Sequence, residues 1–571
     1  MIKSRILSVL NWKSVPKFKN YYMKNDIKII IALITTYTVG NFLLLFNKTL
    51  LWDSWGWMPF VEEKNYVSLQ NILYQASRYT AYYLYRISGL FDNPLLFTKI
   101  SAFFSWLLAG LFLYGILRKK LSLKIDRAFF ISAFFILTPT FLVRFESSIL
   151  QCSINIMLFF MAAFIYFIAE KNKNRLVAIV NYSLSWILFF LSFFTYSLLV
   201  FYGGFLLLLF VSYRQKNKER PLISGIWPWL KNNFLFIILP IIFWGLKLSI
   251  WKSGGYWAGA DYDNIGIPTP ASLTILLLWS TIIYGFFWQI IAPILILDRK
   301  IFALLFIIIG FITYLTTKKI FTERGEGERE TDSAQKETDY SSKYYLIAGG
   351  ILFFLGFLPY FLTGKAPYIT FNPSGMRCAL LLPVGSSLLV LGTLLLIIRK
   401  EWLPLVQTII LTLFMTFTIY NYYGLDMDGY KQIALIENLK SSLNENLKSA
   451  TTLIFNDKIQ GLNWQNRHVF GEEYLGYVQE IYKNNPKFAT TDRGLVVNKE
   501  GLRIFFVVYP FPEDFNPLEK IVNINITTYD GPEILTVGNW LKIKRLEIFG
   551  DQKSFTKKIT DIFRIKLEIS P

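Results

Sequence analysis

One carboxylate stands among three tryptophans in the stretch Leu51-Trp52-Asp53-Ser54-Trp55-Gly56-Trp57. The stretch follows a long apolar run, so Asp53 falls at the surface of a bilayer. Charge at that depth is costly to desolvate and is usually kept for a task. The chain has a single histidine, His468, and two cysteines, Cys152 and Cys378, both in apolar runs. A histidine-based triad, a histidine-rich metal site and a disulfide framework are therefore not expected. Acid–base chemistry must rest on carboxylates. A further acidic pair, in Asp261-Tyr262-Asp263, has the form that can hold a divalent cation through carboxylate oxygens. Such pairs also occur in solvated loops without a metal.

The elements that must position Asp53 are membrane spans. The 571 residues are 53% hydrophobic, with a mean hydropathy of +0.39. Many apolar runs reach the roughly 20 residues that a helix needs to cross the hydrocarbon core. The expected fold is an all-α polytopic membrane protein of about 11–13 transmembrane helices, followed by a soluble α+β domain. Residues 1–26 form a basic N-terminus ahead of a full-length span at 27–46, and no small-residue cleavage site follows it. By the positive-inside rule this end is cytoplasmic and Asp53 is extracytoplasmic, in a multi-pass protein of the plasma (inner) membrane. The net charge of +20 does not point to nucleic acid, because many basic residues cluster in short inter-span loops such as Arg118-Lys119-Lys120.

Residues 27–420 make up the transmembrane region. Residues 176–213 are too long for one span at 1.5 Å per residue and read as a hairpin turning near Thr195-Tyr196-Ser197. After residue 270 the apolar runs 271–297, 301–317, 344–363, 378–398 and 402–420 leave the parity open. An even count puts Arg399-Lys400 outside, against the charge rule. An odd count needs one non-spanning or re-entrant segment between 271 and 317, and is preferred. The mixed-charge stretch 318–343 reads as a solvated linker. Residues 421–571 are polar and patterned as a small soluble α+β domain, extracytoplasmic if the odd count holds. Its Ile436, Leu439, Leu443 and Leu447 recur at helical spacing, and 502–510 and 521–529 read as strands.

The first outer loop, 47–94, is long for a connector. Its second half carries Tyr74, Tyr79, Tyr82, Tyr83 and Tyr85 with Arg78 and Arg86, a composition suited to a helix lying in the interface. An interfacial helix beside an outer carboxylate would roof a cleft at headgroup level. The acidic-Trp start of this loop, the segment Ser77-Arg78-Tyr79-Thr80 and the hairpin tip Phe194-Thr195-Tyr196-Ser197 together resemble the GT-C superfamily of integral-membrane glycosyltransferases. The likeness is to the phage-type O-antigen glucosyltransferase group and covers roughly residues 27–215. The chain departs from that group's Asp-Asp-Trp and Gly-Arg-Trp patterns where Ser54 replaces the second acid and Ser77 replaces the glycine.

The resemblance implies sugar transfer from a polyprenyl-phosphate donor to a glycan, lipid or protein acceptor, with Asp53 as general base and Tyr196 at the substrate. A departing phosphate needs positive charge. Arg78, Arg144, Lys365 and Arg377 are candidate partners for it, the last two only if residues 364–376 face outward. Glu146, in the tight turn after Arg144, is a further candidate for substrate binding. Plainer roles stand beside each: a helix cap for Asp53, snorkelling for Arg78, and a mutual salt bridge for Arg144 and Glu146. Two other functions are open to such a chain. A transporter or flippase of lipid-linked glycans would line its spans with paired ionisable groups, whereas Lys99 and Lys247 have no obvious partner in the sequence. A non-catalytic membrane assembly protein would account for the missing second acid.

Overall fold

The computed structural model describes residues 20–217, 222–251, 271–322, 340–365, 373–442, 445–482, 487–492, 496, 515–528 and 531–570. Within a bilayer every backbone N–H and C=O must be satisfied inside the segment itself, which makes each apolar run a helix. Among the described residues ten helices are long and apolar enough to cross a membrane, or eleven if one bent pair is a single span; Leu382–Ile397 is shorter. The chain is a helical, multi-pass membrane protein with a small sheet near its C-terminus.

Helix α1 (Asn20–Asn41) runs on as a 3-10 stretch, Phe42–Phe46. The long loop after it is three short helices, α2 (Ser54–Glu62), α3 (Tyr66–Gln75) and α4 (Tyr79–Ser88). The expected interfacial helix is thus a folded cap. Its own core joins Trp57, Met58, Val61, Leu69, Leu73 and Tyr85, while Val67, Tyr83, Ile87 and Leu90 stay exposed. Helix α5 (Pro94–Lys119) starts at a proline and is capped by Asn93, whose side chain accepts from the Leu96 N–H. Helix α6 (Ile125–Leu137) bends by 58° into a 3-10 stretch, Pro139–Phe145. The break falls at Thr138-Pro139, where proline removes a donor and crowds the preceding turn. Helices α7 (Leu150–Lys171), α8 (Arg175–Ser192), α9 (Ser197–Lys216) and α10 (Leu222–Ser249) follow, and the α8–α9 turn lies at the expected hairpin tip.

The next apolar run, 271–297, is interrupted. Helix α11 (Ala271–Ile282) passes through a π turn, Ile283–Phe287, into α12 (Trp288–Leu295), which carries Pro293. Helices α13 (Lys300–Thr322), α14 (Ser342–Phe361), α15 (Leu382–Ile397) and the 39-residue α16 (Leu403–Ser441) complete the bundle. Helices α14 and α15 touch at backbone distance: a Cβ at Gly385 would come within 2.3 Å of the Phe353 nitrogen, and one at Gly349 within 2.7 Å of the Leu389 nitrogen. Small residues let spans approach this closely.

Contacts between helix ends sort the chain into two sides. At one end, Asp26 accepts from Tyr114, Lys120 pairs with Glu170, Arg127 donates to the Tyr340 carbonyl, and Thr317 meets Thr408. At the other, Asn47 donates to Asp426, Ser77 to the Trp251 carbonyl and Tyr360 to Ser197, and the Arg299 guanidinium lies 5.1 Å from the Tyr420 ring centre. Helix α14 therefore ends, and α15 begins, on the Asp53 side. Arg399-Lys400 and the ends of the 318–343 linker fall on the basic side with Lys119 and Lys120. Trp251 and Arg299 are on the same side.

Helix α16 continues past the other helices and carries the C-terminal domain on the Asp53 side. After α17 (Glu445–Ser449), strands β1 (Thr452–Asp457), β2 (Phe488–Thr490), β3 (Ile521–Thr528) and β4 (Ile565–Ser570) form one sheet in the order β2-β1-β3-β4. Strand β1 is parallel to β2 and β3, and β4 is antiparallel to β3. Helices α18 (Gly471–Ile481), α19 (Val537–Phe549) and α20 (Gln552–Phe563) accompany it. The expected strand at 521–529 is β3, with clean burial alternation. The expected strand at 502–510 lies outside the described residues, as does Leu443, while Ile436 and Leu439 are buried on α16 and Leu447 on α17. A buried ion cluster fixes the domain to α16. Arg467 donates from Nε to Asp428 at 2.6 Å and from Nη1 to Glu473 at 2.6 Å, and Lys431 pairs with Asp457 at 2.7 Å.

Candidate functional site

A cavity of about 810 Å³ opens where the cap, the bent α6 region, the ends of α9, α10 and α14, and the C-terminal domain meet. Asp53 lines it. The residue before it, Trp52, has φ +47°, which turns the chain sharply out of the α1 exit. Asp53 occupies the N-cap position of α2, yet its side chain makes no capping bond. Among the described residues its carboxylate has no hydrogen-bond or ion-pair partner. Capping does not consume this acid.

The turn is braced from behind by Glu146. Its Oε1 accepts from the Leu51 N–H at 3.3 Å and from the Ser54 hydroxyl, and Ser54 in turn accepts from the Ser147 hydroxyl at 2.6 Å and the Ser148 N–H at 3.1 Å. Ser54 is the link in this brace. Glu146 is buried and does not line the cavity. Burial pushes its carboxyl up to about 7, against the pull of Lys99, the Ser54 hydroxyl and the Leu51 N–H. Arg144 is also behind the wall. It is 0% exposed, donates to the Ile136 carbonyl at 2.5 Å, and lies over the Trp106 and Phe145 rings. No salt bridge joins Arg144 to Glu146 among the described residues, and neither faces the space where a substrate would sit.

Arg78 does line the cavity, at the N-cap of α4 with its guanidinium 5.8 Å from the Trp57 ring centre. It makes no ion pair among the described residues, although Asp53 and Glu472 line the same cavity. Ser77 before it has φ +56°, a left-handed conformation that glycine adopts more readily than serine. Hydrogen bonds hold it there: its hydroxyl meets the Tyr196 hydroxyl at 2.7 Å and the Trp251 carbonyl at 2.5 Å, and Tyr196 donates to the Ser77 carbonyl at 3.0 Å. Tyr196 lines the cavity as well. The ammonium of Lys247 lies 4.7 Å from its ring centre and 4.6 Å from that of Trp244. Arg377 reaches the same space from the 3-10 stretch Pro373–Ala379. Both Arg78 and Arg377 are close enough to Cys152 to act on it electrostatically. Lys365 closes the turn after α14 through its N–H to the Tyr360 carbonyl and does not line the cavity. Asp261 and Asp263 lie outside the described residues. Among the described residues no three His, Cys, Asp or Glu side chains are grouped to hold a metal ion.

Glu472 is the wall residue that sequence patterning does not disclose. It sits in the first turn of α18 and lines the cavity from the C-terminal domain. Burial raises its carboxyl, its own backbone N–H lowers it, and the Asp53 charge raises it further. Two acids from distant parts of the chain therefore share one space. Glu473 beside it is held by Arg467, and Tyr477, on the same helix, packs edge-on against Trp55 at 4.8 Å. One side of the wall is apolar, from Leu199 and Val200 on α9 to Pro240, Ile241 and Trp244 on α10. Ile241 is 68% exposed on the outer face of the bundle, so the cavity borders the lipid-facing surface.

The two lysines without a partner in the sequence are both engaged. Lys99 donates to the Asn47 side chain at 3.2 Å, and Lys247 is held by the rings described above. Comparison of the chain with protein-family models, with curated proteins and with solved structures finds no match.

Proposed function

We propose that this chain is a GT-C-like membrane glycosyltransferase, moving a sugar from a polyprenyl-phosphate donor to a glycan, lipid or protein acceptor. The Asp53 end of the bundle faces away from the cytoplasm, and the protein sits in the plasma (inner) membrane. One observation carries the reading: a carboxylate without a partner among the described residues, two guanidinium-bearing residues and an apolar wall beside the lipid-facing surface share a single cavity. These are the groups that a phosphate with a long lipid tail and an attacking alcohol require.

The chemistry assigns each a role. The acceptor oxygen attacks the anomeric carbon as Asp53 takes its proton. The bond between that carbon and the phosphate oxygen breaks, and the electron pair leaves with the polyprenyl phosphate. Arg78 and Arg377 hold the phosphate oxygens by charge-assisted hydrogen bonds. The lipid tail lies along the α9–α10 wall. Glu472 faces the acceptor side and accepts from its hydroxyls. The test is binding of undecaprenyl phosphate to the purified chain in lipid nanodiscs, compared with Arg78→Ala. A charge-assisted hydrogen bond is worth about 1.5–3 kcal/mol, so affinity falls roughly ten- to hundredfold. Unchanged affinity removes Arg78 from the phosphate site.

A further inference from the structure

The exposed edge of α19 is apolar where a soluble domain would be polar. Leu541 and Ile548 are 55% and 56% exposed, and Phe549 is 84% exposed. Leu541, Arg545 and Ile548 fall at i, i+4 and i+7, along one edge of the helix. Exposed Lys542 flanks them. A neighbouring edge is fixed to the end of the bundle. Lys544 donates to the Phe46 carbonyl at 3.3 Å and pairs with Asp426 at 3.0 Å, and Trp540 donates to Asp426 at 2.9 Å.

Those anchors place α19 level with the ends of the spans. Phe42 and Phe46 at the end of α1 are exposed, as are Ile301 and Leu304 at the start of α13. Phe302 of α13 packs edge-on against Tyr420 of α16 at 5.0 Å, and Tyr423 of α16 meets Trp540 of α19 at 5.9 Å. The apolar edge of α19 therefore continues the lipid-facing surfaces of two neighbouring spans. A helix with an apolar edge flanked by basic residues, held at that level, fits a membrane surface.

We propose that α19 is an interfacial anchor, with Leu541, Ile548 and Phe549 sunk into the acyl-chain border of the outer leaflet and Lys542 and Arg545 on lipid phosphates. It holds the C-terminal domain against the bilayer independently of what the cavity does. The test uses the full chain in nanodiscs, with Cys152→Ser and Cys378→Ser, and a fluorophore at Phe549→Cys or, as a control, at Glu568→Cys on β4. A nitroxide carried near the top of the lipid acyl chain should quench the label at 549 several-fold more than at 568. Quenching by aqueous iodide in its place overturns the proposal. So does resistance to both quenchers, which means a second copy or another protein covers the edge. Hydrogen exchange of the wild-type chain guards against a misfolded variant. The α19 amides should be protected in nanodiscs of anionic lipid and lose that protection when Leu541, Ile548 and Phe549 are all changed to Ser; unchanged protection also overturns it.

Discussion

Asp53 illustrates how a side chain can hold a structural address without doing structural work. It stands where a helix cap belongs, yet makes no capping bond. The brace of that turn is Glu146, through Leu51 and Ser54. This division predicts a pH effect on stability. A carboxyl raised by burial favours its protonated form in the fold, so stability falls as pH rises from the unfolded value near 4.5 to about 7, and stays low above it. Glu146→Gln should flatten that slope in melting temperature measured from pH 5 to pH 8. A slope that persists in the variant assigns the pH dependence elsewhere. Glu472 acts differently, because it faces the cavity. Glu472→Gln should raise the acceptor KM while leaving undecaprenyl phosphate affinity unchanged; a loss of donor affinity would place it on the wrong side of the site.

At the scale of elements, the cap, the hairpin tip and the C-terminal domain are three separate pieces that must be held together. Ser77 ties the cap to the α8–α9 tip through a strained backbone. Arg467 ties α18, and with it Glu472, to α16. Removing one partner of a buried ion pair typically costs about 3–5 kcal/mol, because the charges left behind are unpaired. Arg467→Met should therefore lower the melting temperature and expose the C-terminal domain to limited proteolysis before the bundle yields. Proteolysis unchanged from wild type would show that other contacts carry the junction. Gly385→Ala should separate α14 from α15, since its Cβ would meet backbone rather than a movable side chain. A melting temperature within a degree or so of wild type would mean the helices slide at little cost.

The whole molecule is a bundle with a basic end and a site end, and much of that was legible in the sequence. Apolar runs and basic loops locate the spans, because lipid leaves the backbone no alternative to helix. Asp53, Arg78 and Tyr196 were singled out by the resemblance of their short motifs, and the fold places all three on one cavity. What stayed hidden depends on packing. Arg144 and Glu146 look like wall residues until the bend at Pro139 turns them inward. Glu472 is one of two adjacent acids on a short helix, and only the docking of a domain some four hundred residues away brings it to Asp53. The interruption of 271–297 likewise shows only in the folded chain, as the π turn Ile283–Phe287. The topology itself is testable: a cysteine at Ser442 should react with a membrane-impermeant maleimide from the outside of intact cells, and labelling only after permeabilisation would invert the bundle.

The central claim is that the Asp53 carboxylate takes the proton in a sugar transfer. The most direct measurement compares wild-type and Asp53→Asn chains in nanodiscs, supplied with polyprenyl-phosphate sugar and membrane extract as the source of acceptor, with release of polyprenyl phosphate as the readout. The account predicts transfer by the wild type and its loss in the variant, with melting temperature and undecaprenyl phosphate affinity preserved. Transfer by Asp53→Asn at the wild-type rate would contradict it.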